Sequence, residues 1–258
     1  MNFKVGIDVG GTFTDLFLWA DDGTVGSYKV LSTPKDPSLG VLDGIRTMAE
    51  AHGMEVAEFA RATTLIVHGT TVATNAVLTR NGASTALLTT NGVRDALEMR
   101  RGIREKQYDN RYQNVVPLVP RHLRKPVLGR LDFRGDETVP LDVASVQRAA
   151  EELRLAGVTS VAICFMHSYA NPAHEAAAAA IVRRALPGLF TSVSSEVLPV
   201  IRFYDRVSTT VLNAYVGPVL RDYLQNLTAR LAGAGFAGAL LIMQSNGGLA
   251  VPSVTERI

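Results

Sequence analysis

The sequence holds one cysteine, Cys164, and one tryptophan, Trp19. A single cysteine excludes a disulfide framework and any cage of cysteine ligands around a metal. Its setting in the apolar run SVAICFMH reads as a buried structural thiol. Also missing is any run of about 20 apolar residues, so no transmembrane helix is expected. The opening NFKVGIDVGG has no basic leader before a long apolar stretch. These absences read as a soluble, cytoplasmic protein with no membrane partner. Charge of one sign is lacking too: 26 Lys and Arg stand against 24 Asp and Glu, so no global field marks a nucleic-acid binder. Nor is any basic face interleaved with stacking aromatics, so nucleic acid is not an expected partner. The one local basic cluster, RRGIREKQYDNR (Arg100 to Arg111), reads as a solvated loop or else as an anion-facing surface.

Several signatures can be set aside. GAGFAG, Gly233 to Gly238, matches G-x-G-x-x-G but lies after a helix and before a strand, the reverse of a dinucleotide fingerprint. It reads as a turn. No Walker A pattern is present, and the NLT at Asn226 is a sequon inside a predicted helix. His68 and His174 are isolated, with no H-E-x-x-H, so no zinc site is expected.

What is present is a chain of 258 residues, 47% hydrophobic, enough for one large or two ordinary domains. Alternation in FKVGIDV, TFTDLFLW and TVGSYKVL predicts three strands separated by Gly10-Gly11 and Asp21-Asp22-Gly23. A helix follows over DPSLGVLDGIRTMAEAHG, with Leu39, Leu42, Ile45 and Met48 on one stripe. Three strand-loop-helix units come next, through His68–Thr71, through Thr89–Gly92, and through Asn171 as N-cap with Pro172 opening the helix. Residues 104–140, with four prolines, read as an irregular insertion. A helix at DVASVQRAAEELRLAG, a long helix from about Ser208 to Ala232 and a strand GALLIMQ complete the pattern. Sequence order suggests regions 1–185 and 186–258.

The stretch DVGGTFTD is the chemically loaded one. Gly10 and Gly11 allow a tight turn whose amides no side chain obstructs, and consecutive amides in such a turn make an anion-binding nest. Thr12 and Thr14 add hydroxyls, Asp8 suits Mg²⁺, and Asp15 suits a second water or a brace for the hairpin. The competing reading is a plain Gly-Gly hairpin with polar residues outside. HGTTVATNAVL places His68 and three threonines, Thr70, Thr71 and Thr74, where a strand gives way to a helix, the edge where open α/β sheets bind ligands. There the alternative is a threonine N-cap and a satisfied loop histidine. Asn246, in QSNGG after a strand, is a further cleft candidate.

GIDVGGTFTD, HGTTVATNAVL, ALLTTNGVRDALEMRRG, NPAHE, RVSTTVLNAYVGP and MQSNGG occur in the order found in the hydantoinase/oxoprolinase family, A-type subunit. The resemblance covers essentially the whole chain; the first motif alone is shared across the actin, sugar kinase and Hsp70 superfamily. It implies an α/β, ribonuclease H-like (actin-like ATPase) fold, a mixed sheet flanked by helices, using ATP and Mg²⁺. It implies phosphate held by Gly10, Gly11 and Thr12, Mg²⁺ served by Asp8, and a cleft lined between His68 and Asn75. It implies phosphorylation of a cyclic amide of the hydantoin, 5-oxoproline or lactam type, with a B-type partner completing ring opening. Alternatives under the same resemblance are a ketone carboxylase subunit, a small-molecule kinase, or an inactive nucleotide-binding fragment. Family members continue to a second phosphate motif and an adenosine-binding lobe, so this chain is expected to carry only part of the nucleotide site. The resemblance names no catalytic base.

Overall fold

In the computed structural model, which describes residues 1–255, three strands open the chain: β1 (Phe3–Val9), β2 (Phe13–Ala20) and β3 (Val25–Leu31). Strict alternation sends Phe3, Val5, Ile7 and Val9 of β1 and Thr14, Leu16, Leu18 and Ala20 of β2 inward. Phe13, Phe17 and Trp19 are left exposed on the outer face, with Lys4 5.1 Å from the Trp19 ring and Lys29 5.0 Å from Phe13. Helix α1 (Pro37–Ala51) begins where Asp36 accepts from the amide and hydroxyl of Ser38, ahead of Pro37. Its buried stripe is Val41, Ile45 and Met48, with Gly40 and Gly44, so it is rotated from the predicted one and Leu39 stays exposed. The glycines explain the rotation. A Cβ on Gly44 would lie 2.4 Å from Leu16 Cδ2, so the helix meets the sheet through its smallest residues.

Helix α2 (Val56–Ala62), not anticipated from the sequence, leads into β4 (Thr63–Thr70) and α3 (Val72–Leu78). Next come β5 (Thr85–Thr90) and a helix α4 of one turn (Ala96–Met99). The segment expected to be irregular instead supplies β6 (Arg124–Val127), β7 (Arg130–Leu131) and β8 (Glu137–Val139). These strands are too short, and too interrupted by Pro126, to show alternation. Then follow α5 (Val143–Leu155), β9 (Ser160–Cys164) and α6 (Ala173–Ala185), whose N-cap is Pro172 rather than Asn171, although the Asn171 side chain accepts from the Ala173 amide. The chain continues through β10 (Phe190–Val193), a one-turn α7 (Ser194–Val197) and the 31-residue α8 (Phe203–Gly233). It ends in β11 (Ala239–Met243), β12 (Leu249–Ala250) and α9 (Pro252–Thr255).

The chain divides into two compact units, residues 1–81 with 219–255, and residues 82–218. The first is built on a mixed sheet in the order β12-β11-β4-β1-β2-β3, where β1 runs parallel to β4 and antiparallel to β2. This is the ribonuclease H-like arrangement, with its core between the sheet's inner face, α1, α2 and the later half of α8. The second is built on an all-parallel sheet, β10-β9-β5-β6, with α5, α6 and the earlier half of α8 contributing to its core, and the β7–β8 hairpin besides. Pro218 lies inside α8 and offers no amide to the Ala214 carbonyl. The Ser160 hydroxyl donates to that carbonyl at 2.5 Å, and the Ala83 amide donates to the next one, on Tyr215, at 2.9 Å. GAGFAG forms the turn between α8 and β11, as expected. Among the described residues no helix is long and apolar enough to cross a membrane.

Candidate functional site

The turn between β1 and β2 is three residues, Gly10, Gly11 and Thr12. Ser32, just past β3, holds it from behind. The Ser32 hydroxyl donates to Gly10 O at 2.8 Å and its amide to Thr12 O at 2.9 Å, while Gly10 N donates to Phe13 O at 3.0 Å. The carbonyls of Gly10 and Thr12 are therefore tied back. Among the described residues no hydrogen bond engages the amides of Gly11 and Thr12, and both residues are exposed. A Cβ on Gly11 would meet nothing within 4 Å, so the space above the turn is open. Two free amides over open space suit an anion.

Thr14 does not join them. Alternation turns it inward, fully buried, with its hydroxyl 3.0 Å from Ser32 Oγ, so it braces the turn from beneath. Asp8 and Asp15 stand directly opposite each other on the outer face of β1 and β2. Asp15 pairs with Lys29 at 3.0 Å, whereas among the described residues nothing pairs with Asp8. Gly69 of β4 lies beside Asp8, and a Cβ there would sit 3.4 Å from its Oδ1. One free carboxylate, with a second across the ladder, is a donor set that fits a hard cation shared with phosphate oxygens. Among the described residues no group of three or more metal-ligating side chains exists.

A cleft of about 730 Å³ opens behind the turn, lined by Gly10, Gly11, Thr71 and Asn75 among others. Thr71 Oγ1 donates to Val9 O at 3.2 Å and accepts from Asn75 Nδ2 at 3.1 Å, which anchors the start of α3 to the end of β1. Asp36, Lys35, Asp222 and Asn226 also face this cleft, and sequence reasoning had not singled them out for it. Burial opposes the charge of Asp36, but Ser38 and Arg230, 2.7 Å away, hold its carboxyl below the usual value.

Three predicted cleft residues lie elsewhere. His68 is fully buried, its Nε2 2.7 Å from the Tyr223 hydroxyl, and burial pushes its pKa down to about 4. It is a neutral core histidine near pH 7, and its Nδ1 has no partner among the described residues. Thr70 Oγ1 accepts from the Val72 amide at 3.2 Å, the local bond of a helix start. Asn246 sits in the β11–β12 turn, where its side chain accepts from Gly248 N at 2.8 Å. The structure thus brings together Gly10, Gly11, Thr71 and Asn75 on the cleft, with Asp8 and Asp15 on the outer face of the same hairpin.

Comparison with known proteins supplies the context. Residues 4–186 match the model of the hydantoinase/oxoprolinase N-terminal region, and residues 206–258 match that of hydantoinase/oxoprolinase. The chain is 43% identical over 257 residues to the caprolactamase subunit alpha of Pseudomonas jessenii, covering 99% of this chain and 37% of that protein. Among solved structures it resembles the ATP-dependent caprolactamase from Pseudomonas jessenii, with TM-score 0.90 and 43% identity over 96% of this chain and 36% of that one. It also resembles a nucleotide-free acetone carboxylase, with TM-score 0.88 and 28% identity over 99% of this chain and 38% of that one. The chain therefore spans a little over a third of the relatives it matches.

Proposed function

The chain belongs to the hydantoinase/oxoprolinase family, and from that premise we propose that it serves ATP-dependent activation of a cyclic amide, of the hydantoin, 5-oxoproline or lactam type. The observation that carries this reading is the β1–β2 turn, whose Gly10 and Thr12 carbonyls are tied to Ser32 while, among the described residues, the amides of Gly11 and Thr12 stay free. In this reading those amides and the Thr12 hydroxyl hold phosphate oxygens without reorganising when charge develops on them. Asp8 would hold Mg²⁺, with Asp15 nearby; the ion, when bound, neutralises phosphate charge. Thr71 and Asn75 line the acceptor cleft and orient the amide. An amide oxygen leaves poorly, and phosphorylating the imidate form makes it a good leaving group. A B-type partner then completes the ring opening.

A second reading replaces the amide with a ketone and the hydrolysis with carboxylation. The likeness to acetone carboxylase supports it, at 28% identity against 43% for the caprolactamase. ATP turnover by the complex with its partner, assayed on lactams, hydantoins and ketones with and without bicarbonate, separates the two. Turnover that requires bicarbonate refutes the amide reading.

The hairpin is tested by Gly11→Ala. Its added methyl meets no protein atom, so stability should stay within about 0.5 kcal/mol of wild type. Calorimetric Mg-ATP affinity in that complex should fall at least about tenfold, because the methyl occupies the space claimed for phosphate. Unchanged affinity would remove the phosphate role from this turn.

A further inference from the structure

The basic cluster that the proposed chemistry leaves unused lies in the second unit, around a cavity of about 580 Å³. Asn91, Arg94 and Asp95 line it just after β5, together with Arg100, Met99 of α4, Pro126 of β6 and Phe203 of α8. It therefore opens outside the carboxyl ends of two parallel strands, where α/β sheets receive ligands. Its volume is that of a small-molecule site.

The charges around it do not cancel. Arg100 is held by Glu105 and lies near Tyr112, and Arg101 is held by Asp205. Arg124, buried, donates to Val119 O at 3.0 Å and to Glu98 at 3.3 Å. Asp95 must then serve Arg121, Arg94 and Arg124. Arg121 takes it with two bonds, at 3.0 and 3.1 Å, and Arg124 stands 3.7 Å off. Arg94 is left with one long bond, Nη2 to Asp95 Oδ2 at 3.4 Å, and its buried Nε, 3.4 Å from Oδ1, makes no hydrogen bond. Five guanidiniums thus face four carboxylates, and on the cavity wall itself Arg94 and Arg100 stand against the single carboxylate of Asp95. Within the basic run Arg100 and Arg101 are paired; Arg94, ahead of it in sequence, shares its carboxylate with two other guanidiniums.

The other walls set the ligand's character. Met99, Phe203 and Pro126 offer apolar surface opposite the guanidinium, and Asn91 adds an amide. A net charge of one cation beside an apolar wall matches a monoanion with a hydrocarbon body, whereas a bare phosphate would leave that wall unused. At the rim, Arg100 holds φ 53°, a conformation that non-glycine residues adopt at a cost and that clusters at ligand sites. We propose that this cavity binds a small organic carboxylate through Arg94 and Asn91, with its chain against Met99, Phe203 and Pro126. The proposal does not depend on the function assigned to the glycine hairpin.

Calorimetry of the chain with hexanoate, hexanamide and inorganic phosphate at low salt tests it. Hexanoate should bind saturably at one site, and hexanamide and phosphate at least about tenfold more weakly, as the loss of a charged partner or of the apolar contact requires. Arg94→Gln should weaken hexanoate binding by a similar factor. Because that variant disturbs a charge cluster, Met99→Glu provides the second arm. Met99 is 72% exposed, so its melting midpoint should hold while the new carboxylate repels hexanoate and competes for Arg94. Wild-type affinity in Met99→Glu, equal binding of hexanamide, or no saturable hexanoate binding in the millimolar range would each overturn the proposal.

Discussion

Lowering the pH should destabilise the fold through the burial of His68. The imidazole is fully buried, bonded through Nε2 to the Tyr223 hydroxyl, and burial depresses its pKa from 6.5 to about 4. The unfolded chain therefore binds a proton at this site between pH 6.5 and 4, while the native chain does not. Stability thus falls as pH falls through that window, and the loss is complete near pH 4. At about 1.4 kcal/mol per pH unit the interval comes to about 3 kcal/mol. Carboxylates titrate there too, so the clean measurement is a difference. Urea unfolding of wild type and His68→Gln from pH 7 to 4 should give curves that approach or cross, with the variant gaining about 3 kcal/mol relative to wild type. Glutamine suits because its amide can still meet Tyr223 and has no proton to take up. A difference that changes by less than about 1 kcal/mol would refute the assignment of His68 as a desolvated neutral base and return it to the solvent-accessible cleft.

Further outcomes follow from packing and buried charge. Gly238→Ala should cost at least about 2 kcal/mol, read as a lower urea midpoint, because the new Cβ would lie 2.4 Å from the Thr64 carbonyl oxygen, a backbone atom that cannot swing aside. Arg206→Met should cost about 3–5 kcal/mol in the same assay. It strands buried Glu175, 3.7 Å from the guanidinium, and removes the donor shared by Ser194 and the Phe165 carbonyl. Cys164, whose thiol burial pushes up to about 12, should resist a thiol reagent in the native protein and react at the rate of global opening.

The sequence was most readable where one periodicity ran long enough to be unambiguous. Alternation across β1–β3 and the alanine-rich α6 appear where expected, while the cap of α6 falls one residue later than expected, on Pro172. Glycine misled the reading of α1, because the sheet packs on Gly40 and Gly44 and so turns Leu39 outward. Strands of two to four residues, such as β6, β7 and β8, are too brief to carry a pattern and take their shape from tertiary pairing. At the site, Gly10, Gly11, Thr71 and Asn75 were legible because turn chemistry and a strand-to-helix transition are local. The burial of His68 was not, since it depends on Tyr223, which lies 155 residues away in the chain, whereas that of Thr14 follows from the alternation of β2. Asp36, Asp222 and Asn226 reach the cleft by the same long-range folding.

Trp19 stands on the outer face of β2, 55% exposed, four residues from Asp15 and on the same side of the strand. That puts the protein's one indole roughly 13 Å along the strand from the carboxylate pair. Its fluorescence is consequently a poor gauge of unfolding, because the ring is already wet in the native state. It is instead a built-in optical reporter for anything that settles on the sheet's outer surface, and it needs no dye or engineered label.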